Sequence, residues 1–127
     1  MNAPAATRLT ILLSVICAGL FALTCCLSWN YGWLKIQVAF ASDQTEIFDS
    51  MRAQATQRDP KGAAECLEYV VGYYPSGTKQ ERGSRLDCIV ERDRAHAIRA
   101  IIECLRSKTG EDLGTSPEAW IKKFVTK

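Results

Sequence analysis

From Leu9 to Trp29 the chain runs for 21 residues without a charge, LTILLSVICAGLFALTCCLSW, and the uncharged stretch continues through Leu34 to Lys35. At about 1.5 Å of rise per residue, a helix of that length covers about 30 Å, the hydrocarbon thickness of a bilayer. A helix also pairs its own backbone groups, the condition for residing in lipid. Arg8 and Lys35 bracket the run, and Trp29, Tyr31 and Trp33 cluster at its far end. Amphipathic rings of this kind favour the headgroup level. The stretch 9–34 therefore reads as a transmembrane helix with an aromatic interface end, preceded by a tail over residues 1–8.

A signal peptide is the competing interpretation. Ala39-Phe40-Ala41 before Ser42 has the small-x-small form of a cleavage site. The apolar run is, however, longer than the roughly 7–15 residues of such a peptide, and the candidate cut lies beyond Lys35. Arg8 and the terminal amine favour the N-terminus inside, which would put the rest of the chain on the non-cytoplasmic side, although Lys35 and Arg52 on the other side of the run nearly balance that count. Ser14, Ala18, Ala22 and Cys26 recur every fourth position, with Gly19 adjacent, and form a possible helix-pairing face. Close packing of small residues is what brings membrane helices together; small residues are also simply common in such spans.

Arg8 is the one charge among the first 34 of 127 residues, so nearly all of the 16 Lys and Arg and all 14 Asp and Glu lie beyond Leu34. This distribution excludes a multipass transporter, a porin and a multidomain enzyme. Beyond Leu34 acids and bases are interspersed and almost balanced, a solvated surface and no nucleic-acid footprint.

The polar part carries helical signals. Residues 35–58 place Ile36, Phe40, Ile47, Met51 and Ala55 at near-helical spacing, an amphipathic stalk helix. Asp59-Pro60 restarts the chain as N-cap and first helical residue. Ala63, Cys66, Leu67, Val70, Val71 and Tyr74 then make a one-sided stripe, closed by Pro75-Ser76-Gly77. Ser84 and Asp87 have capping-box spacing at the start of the longest polar-part helix. Its apolar face is Leu86, Ile89, Val90, Ala97, Ile101, Cys104 and Leu105, dented by Asp93, with Arg99, Glu103 and Arg106 spaced for pairing. Gly110 is a natural stop, and Ser116-Pro117-Glu118 opens a short helix carrying Trp120. The expected fold class is all-α: one N-terminal transmembrane helix, a stalk, and a small bundle of about three helices over residues 59–127. Trp120, Val70 and Ile101 are its expected core.

Three cysteines lie in the apolar run, and three, Cys66, Cys88 and Cys104, lie beyond it. Cys66 and Cys104 fall on apolar faces, where a thiol packs as a small hydrophobe; a disulfide or redox pair is the alternative. His96, the sole histidine, stands eight residues from Cys88 and from Cys104, spacing that does not converge on one metal. The loop 75–85 gathers Ser76, Thr78, Lys79, Arg82, Ser84 and Arg85 near a helix N-terminus, where free N–H groups suit an anion. It is a candidate anion or partner loop, although the P-loop spacing is missing and polar Gly-containing loops are ordinary connectors. No cofactor, metal or catalytic residue is expected.

The stretch Leu105-Arg106-Ser107-Lys108-Thr109-Gly110-Glu111-Asp112-Leu113-Gly114, followed by Pro117-Glu118-Ala119-Trp120-Ile121, resembles a tail found after HEAT-type helical repeats in bacterial proteins. Together with residues 67–80, LEYVVGYYPSGTKQ, it makes residues 59–124 similar to small, uncharacterised, membrane-anchored bacterial proteins. The resemblance implies a HEAT-like hairpin and no activity. A single hairpin-sized unit normally needs stacked neighbours, so a protein partner or a homo-oligomer is expected, beside the lipid bilayer. The leading expectation is a single-pass anchored, non-catalytic protein-interaction module. The alternative is a small anion-binding or thiol redox protein.

Overall fold

The computed structural model describes residues 3–126, with side chains from Thr7 onward. Met1 and Asn2 of the expected tail, and Lys127, lie outside the described residues; Ala3 to Arg8 are already helical. The helices are α1 (Ala3–Gln57), α2 (Pro60–Gly72), α3 (Arg85–Thr109) and α4 (Pro117–Phe124), and no strand occurs among the described residues. The chain divides into two compact units, Met1–Ile36 and Gln37–Lys127.

The first unit is a single helical stretch, long and apolar enough to cross a membrane by length and composition. Its large side chains are exposed, from Leu9 at 58% to Phe21 at 73% and Trp29 at 79%. Two of its polar side chains turn back on the helix. Thr24 Oγ1 donates to the Leu20 carbonyl at 2.8 Å, and Asn30 Nδ2 to that of Cys26 at 2.9 Å.

In the second unit the C-terminal part of α1 packs with α2, α3 and α4. Phe48, Ala55, Leu67, Val70, Ile101, Leu105 and Trp120 are fully buried in one cluster. The core face of α1 differs from the expected stripe. It is Ala41, Gln44, Phe48 and Ala55, while Ile36 and Phe40 are exposed and Ile47 and Met51 are half-buried. The buried Gln44 interrupts the apolar periodicity of this face, and the apolar spacing alone points to a neighbouring one. This part of α1 is a core element, not a free stalk.

Local signals set the helix ends. Asp59 caps α2 through Gly62 N–H at 3.0 Å, with Pro60 in the first turn. Ser84 caps α3 through Asp87 N–H at 3.2 Å. Gly110 ends α3 at φ 71, a left-handed conformation costly for residues with a Cβ. Trp120 of α4 is fully buried and donates Nε1–H to the Gly114 carbonyl at 3.0 Å. Arg106 binds Asp112 at 2.9 Å and the same Gly114 carbonyl, not the expected Glu103, because the turn after α3 folds back beneath it.

Candidate functional site

The loop 75–84 joins α2 to α3, and its centre is a carboxylate of the chain itself. Asp87, in the first turn of α3, is buried at 4% exposure. Its Oδ2 accepts from Ser76 Oγ at 2.6 Å and from Gly83 N–H at 2.9 Å, and its Oδ1 from Gly77 N–H at 3.2 Å. Burial alone would raise the carboxyl. The hydrogen bonds from Ser76, Gly83 and Gly77, with the charge of Arg82, outweigh it and hold Asp87 below the ordinary carboxylate value. Gly77 sits at φ 82 with Arg82 Cβ 3.0 Å from where its own Cβ would be, so a larger residue is strained there.

The candidate loop residues therefore separate. Ser76 is committed to Asp87, and Ser84 is committed to the α3 cap. Arg82 donates to the Ser76 carbonyl at 3.3 Å, and Thr78 and Arg85 are exposed. Lys79 leaves the group altogether: its ammonium stands 4.4 Å from the centre of the Tyr74 ring and 4.6 Å from that of Phe40. Of the six candidate side chains only Ser76 goes to the Asp87 carboxylate, whose other donors are the backbone N–H groups of Gly77 and Gly83, so the six do not converge on one external anion. Asp87 was legible as a capping residue through Ser84-x-x-Asp87; its central place in the loop was not, because that depends on the chain returning from Ser76.

Beside the loop lies a buried polar network. Arg94 of α3, 7% exposed, donates to the carbonyls of Val70 and Tyr74, each at 2.7 Å. Its guanidinium lies 4.9 Å from the Phe48 ring centre, and Glu91 pairs with its Nε at 3.2 Å. Tyr74 adopts φ 37, which turns its carbonyl inward, where Gln44 also reaches it at 3.4 Å. Gln44 accepts from Gln80 at 2.8 Å. Phe40, Asp43, Gln44, Tyr73, Tyr74 and Lys79 line a hollow of about 130 Å³ at this edge. Tyr73 stacks on Tyr69 with 5.3 Å between centroids; burial, then neighbouring Tyr69, Tyr74 and Asp43, push its hydroxyl up.

A second charged group joins α1 to α3. Arg52 pairs with Asp49 at 2.8 Å and meets His96 Nδ1 at 3.1 Å. A guanidinium cannot accept, so in this contact Arg52 is the donor and Nδ1 the acceptor. Asp93 has an unpartnered buried oxygen, and desolvation, then the Asp49 charge, raise its carboxyl against the opposing pull of Arg52 and His96.

All six cysteines are free thiols. Cys66 is 2% exposed, and burial pushes its thiol up, which suppresses the reactive thiolate. Cys104 is half-buried, with Sγ 3.5 Å from the Ala55 carbonyl, and Cys88 is exposed.

In the first unit, Trp29, Tyr31 and Trp33 are all exposed, with Lys35 4.9 Å over the Tyr31 ring. Ser14, Ala18, Ala22 and Cys26 are exposed along the same helix, Cys26 receiving Asn30. Ala39-Phe40-Ala41 lies within α1, and Ala41 belongs to the core of the second unit.

No family model, curated protein or solved structure matches this chain.

Proposed function

We propose that the chain is a single-pass membrane protein whose helical domain is a non-catalytic protein-interaction module. The observation that carries this reading is the uncovered apolar helix. Exposed leucines, isoleucines and phenylalanine along residues 9–34 far exceed the few hundred Å² of contiguous apolar patch tolerated on a soluble monomer. The return of Thr24 and Asn30 to the helix's own carbonyls supports lipid as the surroundings, since hydrocarbon offers no other partner. The N-terminus lies inside and the bundle outside, in keeping with Arg8.

The bundle contributes a HEAT-like hairpin and a partner-facing surface, as in the small membrane-anchored bacterial proteins that residues 59–124 resemble. The partner is another protein of the membrane or a second copy, brought close along the Ser14, Ala18, Ala22 and Cys26 face. An external-anion role for the 75–85 loop competes with Asp87, and a redox role for Cys66 competes with its burial.

Alkaline carbonate extraction tests the anchor: the chain stays with the membrane pellet, and release into the supernatant overturns the reading. Crosslinking in native membranes tests the module: a discrete adduct is expected, and a chain that remains uncrosslinked and monomeric removes the interaction role.

A further inference from the structure

We infer that the second unit associates head to tail with a second copy of this chain: the outer arginine row of α3 in one copy, Arg85 and Arg92, seats in the hollow edged by Asp43 and Glu46 of the next. The inference rests on the interaction-module reading and deepens it by naming the partner and the two surfaces that meet.

The accepting surface is built on α1. Asp43, Glu46, Ile47, Ser50 and Tyr73 line a shallow hollow of about 390 Å³. Asp43 and Glu46 are exposed, and neither forms an ion pair among the described residues. The cations that border the hollow are engaged elsewhere: Arg52 pairs with Asp49 at 2.8 Å, and Lys79 lies over the Phe40 and Tyr74 rings. Two carboxylates beside an aromatic ring and an isoleucine suit a guanidinium. It is weakly hydrated, its plane stacks on a ring, and its N–H groups fork onto carboxylates.

The outer face of α3 supplies that group. Val90, Arg94, Ala97 and Ile101 turn into the core. At 3.6 residues per turn the opposite face carries Arg85, Ile89, Arg92, His96 and Arg99. Arg85, Arg92 and Arg99 recur every seventh residue and are exposed, and they form no ion pair or hydrogen bond among the described residues. Glu103 ends the row with the opposite charge. Ile89 stands between Arg85 and Arg92 at 48% exposure, an apolar match for Ile47 and Tyr73 between the two carboxylates and the ring edge. Arg85 and Arg92 lie about 10 Å apart along α3, and Asp43 and Glu46 about 4.5 Å apart along α1. Two long arginine side chains converge over that difference.

The two surfaces are level within one copy. Arg52 of α1 meets His96, the Ala55 carbonyl receives Cys104 Sγ at 3.5 Å, and the Thr56 carbonyl receives Lys108. The residue numbers rise together along both helices, so α1 and α3 run parallel, with residues 43–50 alongside the part of α3 before His96. The hollow is edged by Tyr73 at the end of α2, whereas the arginine row points away from the core, so one copy offers both surfaces at once. A neighbour in the same orientation brings its row to the hollow. Such a contact leaves a pair with one free surface of each kind, which extends it into a row or ring. Exposed ion pairs contribute little each, so the contact is reversible and relies on anchors in one bilayer to keep copies close.

The test is energy transfer between donor- and acceptor-labelled copies of the full chain, with fluorophores at the C-terminus, reconstituted at low density in phosphatidylcholine vesicles. The unaltered chain should show transfer above the level of random encounter, falling as salt is raised. Arg85→Glu with Arg92→Glu, and Asp43→Lys with Glu46→Lys, should each weaken self-association by at least about tenfold, since like charges then meet. An equimolar mixture of these two variants should restore transfer between unlike copies, because the reversed row of one meets the reversed hollow of the other. Loss of folding cannot be rescued in this way. All four positions are exposed; should a reversal still unfold the chain, Arg92→Gln and Glu46→Gln, each expected to lower transfer, take its place. Random-level transfer in the unaltered chain, transfer unchanged by either reversal, or folded variants that fail to rescue one another overturns the inference. Transfer that survives both reversals leaves the interaction module standing on another surface, whereas native-membrane crosslinking without any adduct removes the module itself.

Discussion

Asp87 is the residue on which the 75–84 loop depends. Three donors, Ser76 Oγ and the N–H groups of Gly77 and Gly83, converge on one buried carboxylate. Asp87→Ala leaves them without an acceptor and should cost about 2–3 kcal/mol, read as a lower urea midpoint. Because the folded value lies below the ordinary 3.8, folding favours the ionised form. That contribution is complete above pH 3.8 and fades as the pH falls through the depressed folded value. An Asp87→Asn variant should therefore lose the acid-limb dependence along with stability. Asp93 has the opposite sign. Its carboxyl is raised by burial and by Asp49, so ionisation opposes folding, with the penalty growing as pH rises from 3.8 through the folded value. Asp93→Asn should melt higher than the parent at neutral pH, with the two curves meeting near pH 3; a lower neutral melting temperature would show that its attraction to Arg52 outweighs desolvation.

At the scale of elements, α3 closes the ends of its neighbours. Neither α1 nor α2 has a basic residue in its last turn. Arg94 supplies donors to the Val70 and Tyr74 carbonyls at the end of α2, and Lys108 to those of Thr56 and Arg58 at the end of α1, at 2.9 and 2.7 Å. A cation there answers both the open carbonyls and the negative end of the helix dipole. Arg94→Met should cost about 2–4 kcal/mol and expose the end of α2 to hydrogen exchange, since buried carbonyls lose their partner. Arg94→Lys should recover little of it, because one ammonium cannot span the two sides that the guanidinium fork reaches. This division also explains what the sequence could and could not reveal. Asp59-Pro60, Ser84, Gly110 and Ser116-Pro117 are local instructions, and the helix limits at Pro60, Arg85, Thr109 and Pro117 follow them. Gln44, Gln80 and Arg94 are buried only because tertiary partners satisfy them. Periodicity reads such residues as surface, and for that reason the α1 face was offset and the Phe40–Tyr74–Lys79 grouping, drawn from α1 and the segment after α2, was not visible.

At the scale of the whole molecule, the proposed topology places the three thiols beyond Leu34 outside the membrane, and their burial ranks their reactivity. Cys88 is exposed, Cys104 is half-buried, and Cys66 is buried with its thiolate suppressed. Thiol alkylation requires access and the thiolate, so a bulky, charged maleimide should react at Cys88 first. Cys17, Cys25 and Cys26 lie inside the apolar run, where a charged reagent does not enter. Intact cells treated with a membrane-impermeant maleimide should therefore label the chain once. Cys88→Ser should reduce the label to background, while Cys66→Ser should leave it unchanged. Labelling that begins only after the membrane is opened would reverse the orientation while preserving the anchor. Equal labelling of Cys66 and Cys88 would instead mean that the packing of α2 against α3 loosens in the membrane, since no rigid form of this bundle presents Cys66 to solvent.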